Sequence, residues 1–492
     1  MKGKIISIDL GTMGVKVSLV NFDGTVEKSY HHEYPVITEK ENHVEQDPRQ
    51  WWTGIVKGIR KISEEENEID AISMCGQMHT HVYLDRDGEV LGRAITWLDQ
   101  RSREIIDDWE KGGLIDDIFE KTWVRLTTTY TLPQVFWMKK NQPDIFSKTS
   151  HILLAKDYVK YLLTGKMVTD PSDASGIGGF DIRRKEWVSD VFETLGISPD
   201  LFPRVEPSTK IVAHLSNESA KILKIKSGIP VVNGGSDHSI SEIGAGMFKE
   251  KTATCILGTA GVLAVCSNEP VKDEKGKIVC WAYPIEEYWD VLGITQTAAA
   301  SLTWFRDVFD PNESDIFEEY SRMAEKVQAG SNGLIFLPYL VGERTPHWDP
   351  KAKGVFFGLK ISHRKEHFIR AIMEGVAYSI KDCAETMEEF GITFERLNLI
   401  GGGSKSRVWR KIISNVLGKD VVIPMEKDTS AMGNLVLTLL GLGILKDARD
   451  AAEFLKIEDE ISPDRKEVVF YRNMFEKYKQ IYRNTMKIMH DL

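Results

Sequence analysis

The chain has 492 residues, of which 42% are hydrophobic and 28% are charged, and its formal net charge is −10. This length and composition indicate a soluble globular protein of two domains, and the acidic balance argues against a nucleic-acid or anionic-membrane partner. The five cysteines are scattered without metal-ligand spacing, and the apolar residues 5–8 are interrupted by Asp9 before they could form a secretory segment. We therefore expect a reducing, cytoplasmic location.

The first predicted strand ends in residues 9–16, which read DLGTMGVK. Backbone N–H groups exposed at Gly11, the Thr12 hydroxyl and the Lys16 ammonium form a set of donors that suits phosphate oxygens. Asp9, at the end of the strand, would hold Mg²⁺ through water, because Mg²⁺ prefers one or two carboxylates together with phosphates. The alternative is an ordinary glycine-rich hairpin in which Asp9 is satisfied locally.

A helix is predicted over residues 47–63, because Asp47 can cap it and Pro48 suits its first turn. Short strands are predicted over residues 69–73 and 94–97, and polar or aromatic side chains follow both of them. The residues expected at a sugar-binding site are Met78, His79, Trp97 and Asp99. A flat aromatic surface suits a sugar ring, and paired donors and acceptors suit its hydroxyls. The alternative for His79 is an interior histidine with satisfied nitrogens.

The apolar run 229–232 is followed by NGGSD, which places Asp237 just after a strand and before a helix. A carboxylate at this position would accept the proton of a sugar hydroxyl as the hydroxyl attacks phosphorus. The alternative is that the side chain only caps the helix.

Residues 255–267 (CILGTAGVLAVCS) repeat residues 8–20 (IDLGTMGVKVSLV), about half the chain length away. The repeat predicts that each half begins with the same strand–turn–strand unit, and that two loops grip a polyphosphate across a cleft. A chance match of a common turn is the alternative. Ile256 replaces Asp9 in the second copy, so Gly258 and Thr259 are expected to bind phosphate without metal.

In the second half, strands are predicted over residues 333–337 and 397–400, a helix over 404–417, and a buried helix over 434–445 that is too short to span a bilayer. Gly402 and Gly403 precede the helix at 404 and would let a flat ring or a phosphate approach its start; a loose turn is the alternative. Alternating strands and helices predict an α/β fold with buried sheets. We place the domains at 1–243 and 244–492.

Residues 354–359 (GVFFGL) and, seven residues later, 367–374 (HFIRAIME) match the second signature of the FGGY carbohydrate kinases, which the chain resembles over nearly its whole length. Supporting segments are 44–48, 170–175, 338–340 and 342–346. The resemblance implies two RNase H-like domains of the actin/hexokinase/Hsp70 type around a cleft. It also implies ATP and Mg²⁺ as cofactors, and a homodimer as a family-level expectation.

The same resemblance assigns roles to the residues already singled out. Asp237 matches the catalytic base, and Gly402 with Gly403 would approach the adenosine. The remaining matches are Asp9, Thr12 and Lys16 in the first phosphate motif and Gly258 with Thr259 in the second.

Met78 and His79 resemble the family members that phosphorylate D-xylulose, although Thr80 stands where those usually have glycine. Residues 95–102 (ITWLDQRS) partly resemble the gluconate kinases, in which case Arg101 is a candidate cation for a substrate carboxylate. We therefore expect phosphoryl transfer from ATP to a terminal hydroxyl of a small ketose, with D-xylulose as the first candidate and gluconate or another polyol as the alternative. A non-catalytic ATP-binding module of the actin or Hsp70 kind is a third hypothesis, which the sugar-site residues disfavour.

Overall fold

The computed structural model describes residues 3–64, 66, 68–313 and 315–492. Met1 and Lys2, with which the predicted N-terminal domain begins, lie outside the described residues. Two seven-stranded mixed sheets, called here the first sheet and the second sheet, organise the two halves of the chain. This is the layered α/β architecture expected from alternating strands and helices.

The first sheet contains the hairpin that carries the first predicted loop. Lys4–Leu10 pairs antiparallel with Gly14–Asn21 and parallel with Ala71–Gly76. Because Leu10 lies opposite Gly76, the loop and the end of the neighbouring strand open at the same edge of the sheet. The strand order is Ile211–His214, Pro230–Val232, Ala71–Gly76, Lys4–Leu10, Gly14–Asn21 and Val26–Glu33, and Gly235–Ser236 also pairs with Ala71–Gly76.

The second sheet repeats this arrangement. Thr252–Leu257 pairs antiparallel with Gly261–Ser267 and parallel with Arg396–Ile400. The strand order is Val279–Ala282, Trp289–Thr295, Gly261–Ser267, Thr252–Leu257, Arg396–Ile400, Asp420–Pro424 and Ile457–Ile461. The repeated sequence therefore does form the same strand–turn–strand unit in both halves, as predicted.

A four-stranded sheet is formed by Glu45–Gln46, Ala94–Ile95, His81–Leu84 and His151–Leu154, in that order. Three two-stranded sheets pair Phe180–Asp181 with Glu186–Trp187, Val168–Thr169 with Arg204–Val205, and Ile335–Leu337 with Val355–Phe357. The described helices are Pro48–Ile62, Arg103–Lys111, Leu114–Thr122, Thr131–Asn141, Pro143–Phe146, Ala155–Thr164, Pro171–Ser175, Ser189–Leu195, Asn217–Leu223, Asp237–Gly244, Ala300–Phe309, Phe317–Glu325, Lys365–Glu388, Arg407–Leu417, Thr429–Gly441 and Arg465–Asp491.

The predicted elements are present with shifted ends. The helix predicted over 47–63 is Pro48–Ile62, and Asp47 caps it by accepting a hydrogen bond from the backbone N–H of Arg49. The strands predicted over 69–73 and 94–97 are Ala71–Gly76 and Ala94–Ile95. Local propensity locates such strands, but pairing with their neighbours decides where they end.

In the second half the helix predicted over 404–417 begins three residues late, at Arg407. Ser406 caps it by accepting a hydrogen bond from the backbone N–H of Trp409, and residues Gly402–Lys405 form a separate 3₁₀ turn. The strands predicted over 333–337 and 397–400 are Ile335–Leu337 and Arg396–Ile400.

Two helices connect the halves. The first crossing helix, Asp237–Gly244, follows the first sheet, and the second crossing helix, Thr429–Gly441, follows Asp420–Pro424 of the second sheet. They touch through backbone, because a Cβ atom on Gly244 would lie 1.8 Å from the carbonyl oxygen of Thr429. The buried helix predicted over 434–445 is the second crossing helix, displaced toward the N-terminus.

Within the described part of the chain, no helix combines the length and the apolar character that a membrane crossing requires.

Candidate active site

Each repeated hairpin ends in a short turn, called here the first loop (residues 11–13) and the second loop (residues 258–260). In the first loop the N–H of Gly11 donates to the carbonyl of Gly14 at 3.0 Å, and in the second the N–H of Gly258 donates to the carbonyl of Ala260 at 3.1 Å. The N–H of Ala298 donates to the carbonyl of Thr259 at 2.8 Å and so fixes the backbone of the second loop. Thr259 itself is exposed, so its hydroxyl is available to a ligand.

The first loop is fixed by Gln46, a residue to which the sequence pattern assigned no role. Gln46 Nε2 donates to the carbonyl of Thr12 at 2.5 Å, and Gln46 Oε1 accepts from Gln77 Nε2 at 2.7 Å. Trp97 Nε1 donates to Thr12 Oγ1 at 2.9 Å. The structure thus brings the predicted sugar-site tryptophan to the hydroxyl of the phosphate loop.

Asp9 meets the start of the second crossing helix. Its Oδ2 atom accepts a hydrogen bond from Ser430 Oγ at 2.6 Å and lies 3.8 Å from Lys16 Nζ. Lys16 Nζ also lies 2.6 Å from Asp428 Oδ1, an acidic partner that the sequence pattern did not reveal. Asp9 is only 23% exposed but remains accessible, and this partly open carboxylate beside the first loop fits a Mg²⁺ ion held through water.

The glycines predicted at the adenosine differ in their surroundings. A Cβ atom on Gly402 would meet nothing within 4 Å, so its backbone is open to a ligand. A Cβ atom on Gly403 would lie 2.4 Å from Leu257 Cδ2, just before the second loop. Gly403 therefore packs against Leu257, the residue before the second loop, while Gly402 faces open space.

His79 is held in a defined protonation state. Its Nδ1–H donates to the carbonyl of Gly176 at 2.7 Å, which leaves Nε2 as an acceptor. Burial lowers the pKa of His79 to about 4, so the ring is neutral at physiological pH. Its backbone has a φ of 66°, in a region that non-glycine residues seldom adopt and that is often found at functional sites. A neutral imidazole of this kind accepts a hydrogen bond from a hydroxyl.

The walls around His79 come from both halves of the molecule. The rings of Tyr130 and Trp281 lie 4.9 Å and 5.7 Å from the imidazole, and Trp281 Nε1 donates to the hydroxyl of Tyr130 at 3.2 Å. Met78 lies beside His79 against Gly176, because a Cβ atom on Gly176 would be 2.8 Å from Met78 Cε and 2.9 Å from His79 Nδ1. Trp281 belongs to the second sheet, and no motif of the sequence singled it out.

Asp237 begins the first crossing helix, and its Oδ1 atom accepts a hydrogen bond from the N–H of His238 at 2.9 Å. Its side chain is 36% exposed, so a substrate can reach it. Loss of solvent around the Asp237 carboxyl group, together with repulsion from the negative charge of Asp9, raises the pKa of Asp237 to about 6. The carboxylate is therefore ionised at neutral pH and basic enough to take a proton.

The backbone of residues 233–236, just before Asp237, is fixed by close packing and hydrogen bonds. Gly234 has a φ of 77°, and a Cβ atom there would lie 1.8 Å from the carbonyl oxygen of Met74, so only glycine fits. Lys160 Nζ donates to both the carbonyl and the side-chain oxygen of Asn233, at 3.0 Å and 2.5 Å. The N–H of Ser236 donates to Ser172 Oγ at 3.0 Å.

These anchors belong to a fully buried cluster of charges. Lys156 Nζ lies 2.7 Å from Asp157, 3.0 Å from Asp170 and 3.1 Å from Asp173. Burial and the neighbouring carboxylates raise the pKa of Asp173 well above its usual range. The cluster fixes segment 170–175, one of the segments that support the family resemblance. Ser172 of this segment in turn accepts the hydrogen bond from the N–H of Ser236, next to Asp237.

The structure argues against the predicted contact between Asp99 and the substrate. Asp99 is fully buried, and both of its oxygens are engaged: Oδ1 accepts from the N–H and Nε of Arg101, and Oδ2 accepts from the N–H of Val44 and from Arg101 Nη2. Arg101 also donates to Glu45 Oε1 at 2.6 Å. These bonds attach Asp99 and Arg101 to Val44 and Glu45 at the edge of the four-stranded sheet, so Arg101 is not a free cation for a substrate carboxylate.

Comparisons with known proteins agree over the length of the chain. Residues 4–244 match the model of the FGGY family of carbohydrate kinases, N-terminal domain, and residues 253–442 match the model of its C-terminal domain. A xylulose kinase from Bacillus subtilis is 36% identical over 98% of this chain and 97% of its own length. A gluconokinase from the same organism is 30% identical over 92% of this chain and 90% of its own.

The solved structure of a ligand-bound xylulose kinase from Lactobacillus acidophilus superposes with a TM-score of 0.93 at 28% identity, covering 98% of each chain. The predicted fold class, two domains of the actin/hexokinase type around a cleft, is thereby confirmed.

Proposed function

Because the chain belongs to the FGGY family of carbohydrate kinases, we propose that it transfers the γ-phosphate of ATP to a terminal hydroxyl of D-xylulose. The observation that carries this proposal is the position of Asp237, a partly exposed carboxylate with a pKa of about 6 on the helix that joins the two halves. The relatives named xylulose kinase support the choice of sugar.

Asp237 is the proposed catalytic base. It accepts the proton of the attacking hydroxyl while the new O–P bond forms and the bond between the γ-phosphorus and the bridging oxygen of ATP breaks, so that ADP leaves. Met78, His79 and Trp281 would hold the sugar, with His79 Nε2 accepting from a second hydroxyl. Trp97, bonded to Thr12, would line the boundary between sugar and phosphate.

The two loops are the proposed phosphate sites. Gly11, Thr12 and Lys16 on one side and Gly258 with Thr259 on the other supply donors that stabilise charge on the transferring group. Mg²⁺ near Asp9 would neutralise the β- and γ-phosphates. Gly402, whose backbone faces open space, and Gly403 would adjoin the adenosine. Closure of the halves about the crossing helices would exclude water that otherwise hydrolyses ATP.

Gluconate is the second candidate, and one arginine favours it. Arg344 is partly exposed, and its positive charge lowers the pKa values of His79 and Tyr130. Within the described part of the chain, no residue accepts a hydrogen bond from its guanidinium. Such a cation can bind a carboxylate. A gluconokinase is also among the relatives.

A panel of substrates separates these candidates. Purified protein is given Mg²⁺, ATP and either D-xylulose, D-ribulose, gluconate or glycerol, and ADP release is measured with a coupled assay. We expect kcat/KM to be highest for D-xylulose, by at least about tenfold, which corresponds to about 1.4 kcal/mol of transition-state binding. A higher value for gluconate would overturn the choice of sugar, and ATP binding without turnover on any sugar would indicate a non-catalytic module.

We further propose the domain division at 1–243 and 244–492, a homodimer and a cytoplasmic location, as the sequence predicted. The first crossing helix ends at Gly244, which supports a boundary there.

A further inference from the structure

Three ligand-type side chains meet beside the catalytic base, and the mechanism does not use them. His238 and Glu242 lie one turn apart on the first crossing helix, and Asp290 lies on strand Trp289–Thr295 of the second sheet. One potential ligand atom from each lies within 4.8 Å of the others. We call these residues the His-Glu-Asp cluster.

Three of the four carboxylate oxygens of the cluster lack a donor among the described residues. Glu242 and Asp290 are fully buried, and no described residue donates a hydrogen bond to either oxygen of Glu242 or to Asp290 Oδ1. The other oxygen, Asp290 Oδ2, lies 3.3 Å from His238 Nε2 and 3.4 Å from Ser239 Oγ. Buried carboxylate oxygens without partners are strongly unfavourable, so either a cation or a proton must offset their charge.

We propose that the His-Glu-Asp cluster binds one divalent transition-metal cation of the Zn²⁺ type. One imidazole nitrogen and two carboxylates form a donor set that suits such ions, and three protein ligands leave a further position for water or a substrate oxygen. The cluster is separate from the Mg²⁺ expected with ATP, which belongs to Asp9 and the phosphate loops.

The bound ion would have a structural consequence for catalysis. It would tie the first crossing helix to the second sheet and fix the ring of His238, whose centroid lies 5.2 Å from that of Trp281. His238 also donates its backbone N–H to Asp237. The cation is therefore a positioning element for the base and for the sugar-facing tryptophan, and it leaves the phosphoryl-transfer steps unchanged.

A proton shared between the two acids is the competing explanation. Burial and the adjacent Asp290 raise the pKa of Glu242 well above its usual range, and a protonated Glu242 would partly relieve the repulsion. A single shared proton, however, engages one oxygen of each acid and leaves the second oxygen of Glu242 without a donor among the described residues.

Metal uptake by the full chain without nucleotide tests the proposal. The purified protein is stripped with a chelator, dialysed and titrated with Zn²⁺, and bound metal is counted by elemental analysis. We expect one equivalent at micromolar or lower Kd. Glu242→Gln and Asp290→Asn should each weaken binding at least about 100-fold, since even outer-shell changes cost 10–100-fold. Asp9→Asn is the matched control and should keep the site.

A second readout guards against variants that fail to fold. Zn²⁺ at about 100 times Kd should raise the Tm of the stripped wild-type protein by about 2–3 °C. His238→Asn, at a partly exposed position, should retain the fold and lose this shift. A wild-type protein that takes up no Zn²⁺ at about 100 μM, or variants that bind it as the wild type does, would overturn the proposal in favour of a shared proton.

Discussion

Gly433 lies directly against the carbonyl oxygen of Ile240, where the two crossing helices pass each other. A Cβ atom on Gly433 would come within 1.9 Å of that oxygen, and a Cβ atom on Gly244 would come within 1.8 Å of the carbonyl oxygen of Thr429. The contact lies between the helix that begins with Asp237 and the helix whose Ser430 binds Asp9. The relative placement of Asp237 and Asp9 thus depends on two glycines.

Gly433→Ala is expected to lower the free energy of unfolding by about 1–3 kcal/mol, because the helices must separate to admit one methyl group. Urea unfolding followed by circular dichroism measures this loss. Gly92→Ala is the control, since a Cβ atom there meets nothing within 4 Å, and it should change stability by less than about 0.5 kcal/mol. Equal stabilities for the two variants would contradict the backbone contact.

The activity should depend on pH through Asp237. Its pKa is about 6, and only the ionised carboxylate accepts a proton. We therefore expect kcat/KM for the sugar to fall about tenfold per pH unit well below pH 6 and to level off above it. The profile is measured between pH 5 and 8 with folding checked by circular dichroism. A flat profile down to pH 5 would show that Asp237 is not the titrating base.

Trp281→Ala should raise the KM for the sugar by about 10–100-fold, because an aromatic wall beside His79 is lost, while the KM for ATP stays near the wild-type value. Steady-state kinetics with each substrate varied in turn distinguish the two effects. Phe309→Ala removes an aromatic ring that is 57% exposed in the same half and serves as the control. A rise in the KM for ATP alone would place Trp281 outside the sugar pocket.

Arg101→Ala should destabilise the protein by about 3–5 kcal/mol, because it leaves Asp99 buried without its cation. Arg93→Ala removes an arginine whose side chain is 40% exposed and should cost at most about 1 kcal/mol. Urea midpoints and slopes give both values. If Arg101→Ala were stable and lost only the reaction with sugar acids, the corrected assignment of Arg101 would be wrong.

The sequence was informative where chemistry is local. The repeated hairpins, the glycines at 402 and 403 and the carboxylate at the start of the first crossing helix follow from strand ends, turns and caps, which are set by neighbouring residues. The ends of strands and of the helix at Arg407 were less predictable, because pairing across the sheet and the cap at Ser406 decide them.

The sequence was uninformative where a role depends on distant partners. Trp281 meets His79 only because the two halves pack together, and Asp428 reaches Lys16 only through the second crossing helix. Asp99 was placed at the sugar because it follows a strand, but its ion pair with Arg101 withdraws it into the interior. No spacing rule distinguishes a carboxylate at a strand end that faces substrate from one that faces an arginine.

The most direct test of the proposed function is the rate of sugar-dependent ADP release by Asp237→Asn with D-xylulose and Mg²⁺·ATP. Asparagine keeps the shape of the side chain and the acceptor for the N–H of His238, but it cannot take the proton of the sugar hydroxyl. We expect kcat to fall by about 10²–10⁴-fold with ATP binding retained. A variant that phosphorylates D-xylulose at a rate close to that of the wild type would contradict the role of Asp237 as the catalytic base.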